Sequence, residues 1–152
     1  MALVLVLYHS QQYGNTAAMA EAIGEGAREA GAETLLVNTN DKRLDIDTYR
    51  GVAAAAFGSP DYYSYIAGGL KVFLDDWYIA KQSDDTGLTG KPYGLFYSHG
   101  GGGKVRASLE NLFSTGFGTK VGQTVESKGT PDETVLASCL ELGRQLAEAA
   151  QA

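Results

Sequence analysis

The sequence predicts an α/β protein built on a five-stranded parallel sheet with helices on both faces. Two observations carry this. Short apolar runs alternate with segments of helical periodicity from one end of the chain to the other. The first run, Leu3-Val4-Leu5-Val6-Leu7-Tyr8, has no polar alternation, as expected of a strand covered on both faces. The 152 residues contain no internal repeat, low-complexity tract or shift in composition, so residues 1–152 are read as one domain.

Taken in order, Leu3 to Tyr8 is the first strand. The Ala-rich segment Ala17 to Ala30 is the first helix. Met19, Ile23, Ala27 and Ala30 share a side beside Ala22 and Gly26, which predicts close packing on the sheet. Gly31 marks its end. Thr34 to Val37 reads as the second strand, and Asn38 to Asp47 as a polar connection. Gly51 to Phe57 has helix-favouring alanines. It is too short for a helix and is broken by Gly58-Ser59-Pro60, so it is assigned as a central strand with a small-residue face. Leu70, Phe73, Leu74 and Trp77 are spaced as one helical stripe. Tyr93 to Ser98 is the fourth strand, and Val105, Leu109, Leu112 and Phe113 mark the next helix. Thr119 to Glu126 alternates through Val121, Gln123 and Val125, the pattern of a half-exposed edge strand. Thr130-Pro131-Asp132-Glu133 predicts a last helix with Thr130 as its N-cap. Cys139 falls on that helix's apolar stripe and reads as core, not as a nucleophile.

Composition narrows the function classes. The net charge of −6 argues against broad contact with nucleic acid or an anionic membrane. It suits a basic protein partner, or simple solubility. One cysteine excludes a disulfide framework or a Cys-based zinc site within the chain. No apolar run approaches the roughly 20 residues that span a bilayer, and the N-terminus lacks the features of a signal peptide. A cytoplasmic protein is the expectation.

In a parallel sheet with right-handed crossovers, ligands sit beyond the carboxyl ends of the strands. Three candidate loops leave those ends. The first is His9-Ser10-Gln11-Gln12-Tyr13-Gly14-Asn15-Thr16. It joins a buried strand to a helix, where unpaired amides and the helix dipole favour an anion. Ser10, Asn15 and Thr16 add side-chain donors. The alternative is an ordinary turn in which Asn15 or Thr16 only caps the helix. The second loop, Gly58-Ser59-Pro60-Asp61-Tyr62-Tyr63-Ser64-Tyr65, carries three tyrosines on a polar turn. They cover a planar ligand or fold back onto the protein. The third, Ser98-His99-Gly100-Gly101-Gly102-Gly103-Lys104, lets a ligand approach bare backbone. It is not a P-loop, because Ser98 and Val105 stand where that motif needs Gly and Ser or Thr. The dinucleotide fingerprint is absent from the first turn as well.

One loop for a phosphate, one with aromatics and one of bare backbone together suit a flat mononucleotide. Over essentially its whole length the chain resembles the flavodoxins. Gly14-Asn15-Thr16 is similar to the end of their phosphate loop, [ST]-x-[ST]-G-x-[ST]. The stretch from Phe57-Gly58-Ser59-Pro60 through Leu70, Phe73, Leu74 and Asp75 resembles a sister branch, as does the Ser-His-Gly-Gly-Gly-Gly loop. That branch holds FMN-dependent NAD(P)H:quinone oxidoreductases and the flavodoxin modules of flavodiiron proteins. Aligned back from Gly14, the motif's earlier Ser/Thr positions fall on Gln11 and Tyr13, and Ser10 sits one residue early. The third loop has no aromatic, so stacking falls to Tyr62 and Tyr63.

The resemblance implies a flavodoxin-like three-layer sandwich of strand order 2-1-3-4-5, with FMN as cofactor. Its FMN site would comprise Ser10, Gln11, Gln12, Tyr13, Gly14, Asn15 and Thr16 from the first loop. Ser59, Pro60, Asp61, Tyr62 and Tyr63 come from the second, and Ser98, His99, Gly100, Gly101 and Gly102 from the third. It implies an electron carrier that works between a reductase and an acceptor, basic or iron–sulfur proteins among them, with Asp61, Asp75 and Asp76 as candidate guides. Two other functions compete. One is an FMN-dependent NAD(P)H:quinone oxidoreductase using His99 or a tyrosine. The other is a flavodoxin-fold interaction module without flavin.

Overall fold

The computed structural model describes residues 1–152. Its elements run β1 (Leu3–Tyr8), α1 (Asn15–Glu29), β2 (Glu33–Asn38), α2 (Ile46–Arg50), β3 (Ala54–Pro60), α3 (Gly68–Ser83), β4 (Lys91–His99), α4 (Val105–Phe113), β5 (Gly118–Lys120), β6 (Val125–Lys128) and α5 (Glu133–Gln151). The strand order is β2-β1-β3-β4-β5, all parallel, and β6 also pairs with β4. This is the three-layer flavodoxin-like arrangement expected from the sequence.

Alternate residues of the central strands feed two cores, because side chains along a strand point to opposite faces. Val4, Val6, Ala54, Ala56 and Phe96 face α1 and α5, and pack on Met19, Ile23, Ala27, Cys139, Leu142 and Leu146. Leu5, Leu7, Ala55, Phe57, Leu95 and Tyr97 face α2, α3 and α4, among Tyr49, Phe73, Trp77, Leu109 and Phe113. Phe57 stacks on Phe113 at 4.3 Å between ring centroids. A buried Phe or Leu on either face stabilises the fold by about 1.5–3 kcal/mol. Cys139 is fully buried and its thiol is pushed up to about 12 by burial.

Several local expectations are corrected. Gly58-Ser59-Pro60 does not end β3: the strand runs through Pro60, which pairs with Ser98. Proline is tolerated there because its nitrogen faces the β1 side, where the pairing of β1 with β3 has ended at Gly58, while the next bond to β4 is made by Asp61 N. The polar connection after β2 ends in a short helix, α2, capped by Asp45, whose carboxylate accepts from Asp47 N. The fifth strand is split. Lys120 pairs with Tyr93 and Val125 with Phe96, so five steps on the edge match three on β4 and the surplus bulges at residues 121–124. The N-cap of α5 is Asp132, not Thr130, and accepts from Val135 N at 2.9 Å. The small residues of α1 serve contact with α5 as well as with the sheet. A Cβ on Gly26 would lie 2.0 Å from Leu140 O, and one on Gly143 would lie 2.0 Å from Ile23 O.

No helix is long and apolar enough to cross a membrane.

Candidate functional site

The three loops named from the sequence meet at the carboxyl edge of the sheet. The ladder between β1 and β3 extends one residue past β1, with His9 N donating to Gly58 O at 3.1 Å. His9 is buried, and its two ring nitrogens lie 2.9 Å from Thr39 Oγ1 and 3.0 Å from Gln11 Oε1. It is a brace for the loop. The chain then turns into α1 through Gly14, whose φ of +78° is left-handed and suits glycine.

Gly14 is the N-cap and offers no side chain, and Asn15 and Thr16 are already the first two helical residues. The alternative in which Asn15 or Thr16 only caps the helix is therefore not the arrangement found. The consequence is a row of open donors. No protein acceptor receives the backbone N–H groups of Gln11, Gln12, Tyr13, Gly14, Asn15, Thr16 or Ala17, and the first internal bond runs from Ala18 N to Gly14 O. Gln11 to Gly14 are exposed, whereas Thr16 is buried with Oγ1 2.8 Å from Ser98 Oγ. Ser10 through Thr16, with Pro60, Tyr62 and Ser98, line a cleft of about 40 Å³. That is room for roughly three waters, or for one tetrahedral anion in their place.

In the second loop, Ser59 is fully buried. Its hydroxyl accepts from Ala67 N at 2.9 Å and donates to Pro60 O at 2.7 Å. Those bonds brace the two ends of the loop, and Ser59 does not line the cleft. Asp61 N donates to Ser98 O at 2.9 Å, which ties the second loop to β4. Asp61 Oδ2 lies 3.5 Å from Val105 N at the start of α4, while its Oδ1 is buried with no partner. Tyr62 and Tyr65 exchange backbone bonds of 3.2 and 3.1 Å around a two-residue turn. Both turn residues, Tyr63 and Ser64, have positive φ, +58° and +66°. For side chains other than Gly this costs on the order of 1–2 kcal/mol each. The tyrosines separate: Tyr62 lines the cleft edge-on to His9 at 5.8 Å, and Tyr63 stands fully in solvent. Burial raises the hydroxyl pKa of Tyr62.

In the third loop, His99 Nε2 lies 2.7 Å from Glu126 Oε2 on β6, and the ring stacks on Tyr97 at 5.8 Å. Hydrogen bonds from Tyr97 and then His99 hold the Glu126 carboxyl below its ordinary value. His99 Nδ1 is buried and has no partner. Gly100 and Gly101 border open space, and Gly102 lies near Asp61. Lys104 is the residue before α4 and lies outside the cleft.

Of the acidic residues expected to guide partners, only Asp61 stands at the loops. Asp75 is ion-paired with Lys71, and Asp76 with Arg43 at 2.6 Å, both on the outer face of α3. A groove of about 410 Å³ beside that pair, lined by Leu44, Ile46 and Ile79, contains none of the open donors. The sequence reading missed Asn38, Thr39 and Glu126, which hold the first and third loops. The signal was present for two of them: Asn38-Thr39 also leaves a strand at its carboxyl end.

The open N–H row fits an anion. The two orphaned atoms, Asp61 Oδ1 and His99 Nδ1, fit the polar edge of a planar ring, since buried polar atoms are ordinarily paired.

Comparison with known proteins bears on the family and the fold. The family profile described as Flavodoxin matches residues 6–143. A putative diflavin flavoprotein, A 3, from Synechocystis sp. is 28% identical over 150 residues, covering 97% of this chain and 24% of that protein. The chain thus spans about a quarter of the length of that curated relative. A flavodoxin from the domain Archaea superposes with a TM-score of 0.82 at 26% identity, covering 99% of both chains. The Flv1 flavodiiron core from Synechocystis sp. superposes with a TM-score of 0.81 at 26% identity, over 99% of this chain and 36% of that one. With a profile matched across most of its length, a fold in that family's strand order and an open anion loop at the expected strand end, the chain belongs to the flavodoxin family.

Proposed function

We propose that this chain binds one FMN and carries electrons between redox proteins. The observation that carries the reading is the unbroken row of N–H groups from Gln11 to Ala17 without protein acceptors. The amides from Gln12 to Thr16, with the Thr16 hydroxyl, hold the phosphate. Tyr62, which lines the cleft, covers a ring face, and Tyr63 reaches the ring only by turning back from solvent. Asp61, His99 and the bare backbone of Gly100 to Gly102 border the ring's polar edge. Bound FMN supplies the redox chemistry, and the protein sets affinity, exposure and the electrostatics around it. Asp61 adds negative charge there, which disfavours a gain of negative charge by the ring.

The archaeal flavodoxin is matched along 99% of its length, which supports the carrier reading. One observation favours a second reading, an FMN-dependent NAD(P)H:quinone oxidoreductase. The His99–Glu126 pair, with Nδ1 free, is placed to move a proton. Steady-state NAD(P)H oxidation with a quinone and no other protein separates the two. Turnover on the order of 10 per second establishes the reductase. Negligible turnover, with reduction by a flavoprotein or iron–sulfur donor, establishes the carrier.

A further inference from the structure

We infer that Asn38 is the positioning residue of the anion loop and sets the preference for a phosphorylated flavin over an unphosphorylated one. This rests on the FMN reading above. Asn38 is the last residue of β2 and pairs with Tyr8, the last residue of β1. The registered pairing ends there, and the Asn38 side-chain amide carries the bonding on to Ser10. Asn38 Oδ1 accepts from Ser10 N at 3.0 Å, and Asn38 Nδ2 donates to Ser10 O at 2.9 Å. Both polar groups flanking one residue of the loop are thereby held by one planar amide. Oδ1 accepts a second bond, from Asn40 N at 3.0 Å, so the amide orientation is fixed: reversed, it would set N–H against N–H twice. The next residue, Thr39, bonds His9 through its hydroxyl and donates its own N–H to Tyr8 O at 2.7 Å.

This clamp decides where the open donors begin. Ser10 spends its N–H on Asn38, so the free row starts at Gln11. Without the clamp, Ser10 N–H and C=O would turn to solvent and the loop would rotate about its entry point. Only asparagine offers a donor and an acceptor at this reach. Aspartate keeps the acceptor, loses the donor, faces Ser10 O with a second oxygen and adds charge beside a bound phosphate. Asn38 does not line the cleft, so its effect passes through the Ser10 peptide and not through ligand contact.

The test uses the full chain with FMN and riboflavin as separate probes, each titrated by flavin fluorescence, and thermal unfolding of the ligand-free protein. For Asn38→Ala, FMN affinity falls by about tenfold, the worth of one to two lost hydrogen bonds. Riboflavin affinity changes by less than about twofold on the same scale. Asn38→Asp repeats the selective loss and deepens it at low salt, where repulsion of a phosphate is least screened. Should Asn38→Ala not fold, Asn38→Asp reads the same ratio, since it retains the acceptor for Ser10 and Asn40. Equal losses for both flavins, or an unchanged FMN affinity, overturn the assignment. Failure of the unaltered protein to bind either flavin overturns the FMN reading itself and is seen before any variant is made.

Discussion

Thr16 Oγ1 and Ser98 Oγ lie 2.8 Å apart and are both buried, so the first turn of α1 is bonded directly to the end of β4. Through this contact the anion loop and the glycine loop share one anchor, although 82 residues separate them. Either hydroxyl can donate, so Thr16 can turn its proton toward a bound phosphate while Ser98 donates to it. Thr16→Ala is expected to weaken FMN by about 1.5–3 kcal/mol, the range for a hydrogen bond to a charged group. Riboflavin binding is expected to change little. Titration of both flavins checks this, and equal losses would place the phosphate elsewhere.

The turn at Tyr63-Ser64 stores strain that glycine would release. Ser64→Gly is expected to stabilise the ligand-free protein by about 0.5–1 kcal/mol, read as a rise of roughly 2–4 °C in Tm per kcal/mol. A lower Tm would show that Ser64 makes a contribution the turn geometry does not explain. Strain of this kind gathers at ligand-binding loops, and here the turn is closed by the Tyr62–Tyr65 backbone pair, with Tyr62 at the cleft.

Tyr62 and Tyr63 are expected to differ. Tyr62→Ala should raise the fluorescence of bound flavin, because a stacked ring quenches it, and should loosen binding. Tyr63→Ala should do less, since Tyr63 stands in solvent. Fluorescence of the two single variants, each saturated with FMN, separates the roles. A larger effect from Tyr63 would show that the turn closes on the ring when FMN binds.

Far from the site, Lys91 is buried at the opposite end of β4 and donates to Tyr49 O and Arg50 O. Burial lowers its pKa to about 8 from the ordinary 10.5. Between those values the unfolded chain binds the extra proton, so this group's contribution to stability rises with pH across that window. The unfolding free energy of the protein minus that of Lys91→Met should therefore become more positive as pH rises from about 8 to 10.5. Denaturant titrations at several pH values check it, and a difference independent of pH would contradict it.

The strands, the helices and both faces of the core were legible in the sequence because they rest on periodicity, whereas the strand order came only from the resemblance to the flavodoxins. The run Leu3 to Tyr8 and the stripe of Leu70, Phe73, Leu74 and Trp77 each allow one arrangement. The third strand with its small-residue face was legible from its length and flanks, since its alanines by themselves favour a helix. Boundaries were less so. Pro60 reads as a breaker, yet at the end of a strand its missing N–H removes nothing. The break in the fifth strand was hidden because Val121, Gln123 and Val125 keep alternating through it. In the site, the anion loop was visible as residues but its key property was not. Which N–H groups lack partners depends on Gly14 being the cap, and Asn15 and Thr16 look like better caps locally. Asn38 and Glu126 act across strands, so no local pattern ties Asn38 to Ser10 or Glu126 to His99. Gly26 reads as a residue of a sheet-facing stripe. Its contact with α5 depends on Gly143, more than a hundred residues later.

The central claim, that this chain is an FMN protein, is tested most directly by the visible absorption of the purified protein together with the flavin released on denaturation. The expected result is a flavin spectrum and close to one FMN per chain, either as isolated or after incubation with FMN. A colourless protein that takes up no FMN from solution would contradict the claim and leave the fold as an interaction module.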